Sequence, residues 1–203
     1  MQADKSPKNQ LALQPTVLIL ASGRGERFLA SGGTTHKLAA LLGEGMSNKT
    51  VLQHTIDVVK SSGLPFHVED AGHPGMGDSI AAAVRQTADA NGWLILPADL
   101  PLVQAETLQQ VAAALQTAEV VQPVFEREEE QLSGEVKGHP VGFGRVCIEK
   151  LLKLQGNKGA ASVIIAYSAI KLIVNDIGVI TDIDTVDDLA KAEAILKSRS
   201  LTI

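Results

Sequence analysis

The chain reads as a three-layer α/β/α sandwich built on a mostly parallel sheet. Short apolar runs alternate with amphipathic stretches along its length, the pattern expected when strands alternate with helices. The most apolar runs stop abruptly in glycine or proline, which sets loops directly beyond strand ends. No internal repeat and no interdomain linker interrupts this order. The 203 residues fit one α/β domain, and the expected division is a loose lead-in over 1–15 and a single domain over 16–203.

Taken in order, Thr16 to Leu20 is a β-branched and leucine run ending in Ala21-Ser22-Gly23-Arg24-Gly25, a buried strand feeding a glycine loop. Thr50 to Ser62 carries Val51, Leu52, Ile56, Val58 and Val59 at helical spacing, and Gly63 closes it. Pro65 to Val68 reads as a short strand, and Asp78 to Ala90 as an alanine-rich helix opening after the Gly72 to Gly77 cluster. Trp93 to Leu96 is the most apolar strand, stopped by Pro97-Ala98-Asp99-Leu100-Pro101. The helix Ala105 to Ala118 sets Leu108, Val111, Ala112 and Leu115 on one face. Val120 to Phe125 and Val141 to Phe143 read as strands joined by a solvated acidic loop, Glu126 to Glu130, because clustered like charges resist packing. Helices are expected at Val146 to Leu154 and Gly159 to Ala166, further strand material at Val174 and Val179-Ile180, and a closing helix over Thr185 to Lys197.

Composition excludes several functions. Apolar residues make up 45%, but aromatics only 3%, so the core must be Ala, Val, Leu and Ile. The same scarcity argues against single-stranded nucleic-acid binding, which stacks bases on aromatic rings. A formal charge of −5 disfavours duplex DNA. The single cysteine, Cys147, forms no internal disulfide framework and reads as a buried thiol between Val146 and Ile148. No apolar stretch approaches the ~20 residues that cross a bilayer. The start of the chain lacks the apolar centre of a signal peptide. No nucleic-acid partner and no membrane association are therefore expected, and the expected compartment is cytoplasmic.

Chemistry concentrates in a few segments. In Leu20 to Phe28 the glycines let backbone N–H groups approach an anion, while Arg24, Arg27 and Lys37 bring positive charge to one loop of an acidic chain. A dinucleotide fingerprint needs a third small residue where Phe28 stands, and a Walker loop needs a Gly-Lys-Ser/Thr end that is absent. Asp99 lies just past a buried strand, and Mg²⁺ takes few protein carboxylates together with substrate phosphate oxygens. In Thr181 to Asp188, Thr185 with Asp188 resembles a capping box, which leaves Asp182 and Asp184 available to a metal. Gly75-Met76-Gly77-Asp78-Ser79 is a turn opening a helix, suited to a base or ribose. Gly138-His139-Pro140 heads a strand, and the other histidines show no metal-ligand spacing.

Together these segments resemble the MobA-like NTP transferases, whose signature LAAGxGxRxG…K is similar to Leu20-Ala21-Ser22-Gly23-Arg24-Gly25-Glu26-Arg27-Phe28 with Lys37. Gly75 to Ile80, Leu96 to Leu102, Gly138 to Val141 and Asp182 to Thr185 follow in the order of the molybdenum cofactor cytidylyltransferase branch. The resemblance spans about Thr16 to Leu196. It implies a Rossmann-like sheet of the nucleotide-diphospho-sugar transferase type and a Mg²⁺-dependent transfer of CMP from CTP to molybdopterin, with a molybdoenzyme as client. By the same resemblance, Ala21, Ser22, Gly23, Arg24, Gly25 and Arg27 hold the triphosphate and Lys37 contacts its phosphates. Gly77 and Ser79 lie against the nucleoside. Asp99 holds Mg²⁺ with Asp184 or Asp182, and Gly138, His139 and Pro140 face the acceptor.

The sequence departs from the family pattern in the longer loop between Phe28 and His36 and in a Ser62 to His73 stretch too short for a further βα unit. Asn157-Lys158-Gly159-Ala160-Ala161 only approximates the family's Asp-x-Gly-Ala-Arg, with Lys158 in place of the arginine charge. Other readings stay open: another phosphorylated acceptor such as a sugar phosphate, or a non-catalytic accessory protein of molybdoenzyme maturation.

Overall fold

A computed structural model describes residues 14–43, 48–129 and 132–200. The lead-in expected over 1–15 lies outside the described residues, except for Gln14 and Pro15. The strands are β1 (Thr16–Leu20), β2 (Leu41–Leu42), β3 (Lys49–Thr50), β4 (Phe66–Glu69), β5 (Gly92–Pro97), β6 (Val120–Glu129), β7 (Leu132–Lys137), β8 (Val141–Gly144) and β9 (Ile170–Ile173). The helices are α1 (Glu26–Ala30), α2 (Val51–Ser61), α3 (Met76–Gln86), α4 (Ala105–Ala114), α5 (Ile148–Leu152), α6 (Ala161–Ala166) and α7 (Val186–Ser200).

The main sheet runs β4-β1-β5-β8-β6, with β7 and β9 also paired to β6. Strands β4, β1 and β5 are mutually parallel, and β9 is parallel to β6, whereas β8 is antiparallel to both β5 and β6. Because β8 reverses direction between them, β6 and β9 point the same way as β1. The sheet is thus mostly parallel. Val124 pairs with Lys137 on one edge and Ile173 on the other, so β7 and β8 share an edge of β6, interrupted at Gly138–Pro140.

Alternation along the central strands builds two apolar layers. Val17 and Ile19 of β1, with Leu94 and Leu96 of β5, join Val51 and Val59 of α2, Leu108 and Val111 of α4 and Ala192 of α7. Leu18, Trp93 and Ile95 face the other way and meet Ile80 and Val84 of α3, Cys147 just before α5, Leu151 of α5, and Val163 of α6. Strands buried on both faces read as continuous apolar runs, which is why β1 and β5 are legible from sequence.

Two expectations are corrected. Of the acidic loop expected over Glu126 to Glu130, Glu126 to Glu129 is strand instead: β6 continues to Glu129 and pairs antiparallel with β7, while Glu130 lies outside the described residues. Backbone pairing holds the segment while Glu126 and Arg127 stay exposed to water. Those two charges therefore need no buried partner. Strand β9 occupies 170–173, whereas Val179-Ile180 lies in a 3₁₀ turn, Ile177–Ile180. Three of the four residues of β9 are exposed, so its apolar pattern carried no core signal.

Cys147 is fully buried, and burial, with Glu119 nearby, pushes its thiol up to about 11. The thiolate is the reactive form. The native protein should therefore not react with a thiol reagent such as DTNB near neutral pH, and should release one equivalent of chromophore once denatured. Rapid stoichiometric reaction without denaturant would contradict this burial.

Candidate functional site

The C-terminal ends of β4, β1 and β5 lie side by side, tied by Ala21 N donating to Glu69 O (2.8 Å) and Ala98 N to Leu20 O (3.0 Å). Buried Thr55 donates to Ala98 O at 2.9 Å, which fixes the turn carrying Asp99. Ile183 N donates to Asp99 O at 3.0 Å and brings Asp182 and Asp184 alongside. Thr185 and Asp188 form the expected capping pair: Asp188 N donates to Thr185 Oγ1 (3.2 Å) and Thr185 N to Asp188 Oδ2 (3.0 Å). Over this floor opens a cleft of about 880 Å³.

At its centre Lys37 Nζ donates to Asp99 Oδ2 at 2.6 Å and to Asp184 Oδ1 at 2.7 Å. Arg27 adds a bond to Asp184 Oδ2 at 2.8 Å. Lys37 is only 8% exposed. Burial works against its charge, but Asp99 and Asp184 outweigh that, and the ammonium is held above its ordinary 10.5. The hydrogen bond from Lys37, less the effect of burial, and then Lys37's charge and Arg27, hold Asp184 below its usual range. Stability from the depressed Asp184 is present above its unfolded value and lost as pH falls through the folded one. That from the raised Lys37 is present below 10.5 and lost as pH rises past its folded value. The cluster therefore stays paired across neutral pH.

Burial pushes Asp182 up, with repulsion from Asp99, Asp184 and Asp188, against a bond from its own backbone. Burial lowers His139 despite a bond at Ile95 and the nearby Asp99 and Asp182, so its ring is neutral at pH 7. Asp99 Oδ1 and His139 Nδ1 are buried without a hydrogen-bond partner. A buried carboxylate oxygen without a donor suits a hard cation with oxygen ligands. Among the described residues no group of three or more His, Cys, Asp or Glu side chains is gathered for a metal.

The glycine loop forms one wall. Gly25 caps α1 at φ 66°, a left-handed conformation that a side chain would strain. Leu38 N donates to His36 Nδ1 (3.3 Å), so the proton lies on Nε2, which donates to Gly23 O at 2.7 Å. His36 thus fastens the long loop before Lys37 onto the glycine turn. Phe28, which stands where a dinucleotide fingerprint wants a small residue, is buried in the core.

Of the expected site residues, Ser22, Gly23, Arg24, Gly25, Arg27, Lys37, Ser79, Asp99, His139, Asp182 and Asp184 line the cleft. Ala21, Gly77, Gly138 and Pro140 do not reach its lining. A Cβ on Gly77 would lie 2.9 Å from the Gln155 backbone, and one on Gly138 would lie 2.5 Å from Val179. Both glycines serve close packing behind the wall. Sequence reasoning missed His36, His73, Lys137 and Asn157. His73, which lines the cleft, bonds buried Glu69 at 3.1 Å, and Lys137 and Asn157 also line it. A histidine just before the loop lysine was the one available signal, and it had no spacing partner. Lys158, expected to replace an arginine, does not line the cleft.

A glycine loop, a buried lysine and carboxylates gathered beyond parallel strand ends define a phosphate-handling α/β protein. The family model for the MobA-like NTP transferase domain matches residues 57–170, more than half of the chain, and the chain belongs to that family. The match includes Asp99 and His139, whereas the glycine loop, Lys37 and Asp184 lie outside it. Among solved structures, Rv0371c of Mycobacterium tuberculosis H37Rv is similar at TM-score 0.69 and 21% identity, over 89% of this chain and 97% of that one. A further structure of that protein is a complex with manganese. A nucleotidyl transferase from Methanothermobacter thermautotroptrophicus (Mth528) is similar at TM-score 0.66 and 19% identity, over 91% and 99%. Molybdopterin-guanine dinucleotide biosynthesis protein A from Archaeoglobus fulgidus is similar at TM-score 0.61 and 16% identity, over 90% and 99%. These likenesses show the fold. A curated Escherichia coli (strain K12) protein, putative LysR family substrate binding domain-containing protein YagP, is 83% identical over 23 residues, 11% of this chain and 17% of that protein. So short a stretch carries no functional argument. No helix among the described residues is long and apolar enough to cross a membrane.

Proposed function

We propose that the protein is a Mg²⁺-dependent nucleotidyltransferase that moves CMP from CTP onto molybdopterin and releases pyrophosphate, acting in the cytoplasm for a molybdoenzyme client. The observation that carries this reading is the meeting of Lys37, Asp99, Asp184 and Arg27 in one cleft beside the glycine loop. An acceptor phosphate oxygen attacks the α-phosphorus in line, the bond to the β-phosphate oxygen breaks, and pyrophosphate leaves with its electron pair. An ionised phosphate is already a nucleophile, so the protein's work is positioning and charge stabilisation.

In this reading Ser22 to Gly25 present the loop to the triphosphate, with Arg24 and Arg27 supplying charge. Ser79 lies on the nucleoside side and neutral His139 on the acceptor side. Asp99 and Asp184 would hold the Mg²⁺; Asp184 is favoured over Asp182 because it shares Lys37 with Asp99. A bound divalent ion there would offset charge on the reacting phosphates. The manganese complex of the similar mycobacterial protein supports a divalent ion in this fold. Preference for molybdopterin rests on the family resemblance and on the name of the Archaeoglobus relative.

The test incubates the protein with each NTP, Mg²⁺ and either molybdopterin or sugar phosphates, and measures pyrophosphate. Release only with CTP and molybdopterin is expected. Release with a sugar phosphate instead reassigns the acceptor. Tight CTP binding without pyrophosphate under any acceptor makes the protein an accessory binder.

A further inference from the structure

The geometry points to Lys37 as a resident cation of the Asp99–Asp184 pair, so that the pair takes a divalent ion tightly only together with a polyphosphate that accepts the ammonium. This rests on the reading of Asp99 and Asp184 as metal ligands. One oxygen of each carboxylate is already taken by Lys37, at 2.6 and 2.7 Å, and the second oxygen of Asp184 by Arg27. Only Asp99 Oδ1 is left without a donor among the four.

The charges of Asp99 and Asp184 are thus matched by Lys37 and Arg27 before any ligand arrives, with Asp182 a further carboxylate in the same cleft. A divalent ion entering alone would leave excess positive charge in a partly buried cluster, which is costly without an anion. A polyphosphate removes that obstacle, because it brings the negative charge that both cations then serve. Lys37 is well placed to pass between the two. It follows His36, whose ring holds the Gly23 carbonyl, so the stem that carries the ammonium is anchored against the glycine loop. Lys37 would thereby couple metal entry to nucleotide entry and keep the empty site from collecting free metal.

The test is a Mn²⁺ titration of the full chain without nucleotide, read from the EPR signal of free Mn²⁺. Wild type is compared with Lys37→Met and Lys37→Gln, which keep the stem and remove the charge. A site masked in most molecules binds weakly in proportion to the unmasked fraction, so both variants should bind Mn²⁺ about tenfold or more tighter. Adding Asp99→Asn to Lys37→Met should abolish the gain. Equal affinity in wild type and folded variants overturns the inference. Should neither variant fold, the wild-type melting temperature decides. Mn²⁺ with inorganic tripolyphosphate should raise it by more than the sum of the two alone, and a full rise with Mn²⁺ alone overturns the inference. A wild type that releases pyrophosphate from an NTP yet is indifferent to Lys37 sinks this inference and spares the transferase reading. A gain of Mn²⁺ affinity in a protein without any pyrophosphate release does the reverse.

Discussion

Asp99→Asn should lower Mg²⁺-dependent pyrophosphate release by about 10²–10³-fold, the usual cost of removing one preorganised charge from a reacting centre. The amide has the carboxylate's shape, and its oxygen can still accept from Lys37, so the fold should persist. Asp184 would remain paired with Lys37 and Arg27. What disappears is the negative charge behind the one unpartnered buried oxygen of the cluster. The residual activity should also lose its steep dependence on Mg²⁺ concentration. Full turnover in the variant, with the same Mg²⁺ response as wild type, would remove Asp99 from the metal role. Circular dichroism on the same samples separates lost chemistry from lost structure.

Asp176→Ala should cost stability rather than chemistry, by about 3–5 kcal/mol. This carboxylate is 3% exposed and does not line the cleft. It accepts from Gln104 N and Thr107 Oγ1 at 2.8 Å, Gly178 N at 3.0 Å, Arg199 at 3.2 Å and Gln104 Nε2 at 3.3 Å. The Gln104 side chain accepts no capping bond at the start of α4; Asp176 instead anchors that end from late in the chain, through the Gln104 N–H and the Thr107 hydroxyl. It joins α4, the turn after β9 and the closing helix α7. Truncation leaves several donors unsatisfied at once, and each buried orphan costs about 1–3 kcal/mol. Against a typical total of about 5–15 kcal/mol, such a loss is large. Urea unfolding measures it, and a shift below about 1 kcal/mol would mean that water replaces the carboxylate easily.

How far the sequence could be read depended on whether a segment's role was local. Strands β1 and β5 were legible because both faces are buried, and the longer helices because one face is; the short α1 was not. The glycine loop and the acid after β5 were legible because a turn and a strand end are local events. Strand β7 and the acidic end of β6 were not. Their stability comes from pairing with each other, and Leu132-Ser133-Gly134-Glu135-Val136-Lys137 carries little apolar pattern. The roles of Gly77 and Gly138 were equally hidden, since each is set by a neighbour distant in sequence.

By itself, then, the sequence determined the class of fold, the end of the sheet where the candidate site lies and most residue types available there. These follow from periodicity, glycine and charge within a few residues of one another. The tertiary structure alone decided that Lys37 pairs with Asp99, 62 positions on, and with Asp184, 147 positions on. It alone brought Asp176 to the start of α4 and made His36 a clasp for the glycine loop. Such meetings depend on how separate elements pack, and packing is a property of the whole core rather than of any stretch within it.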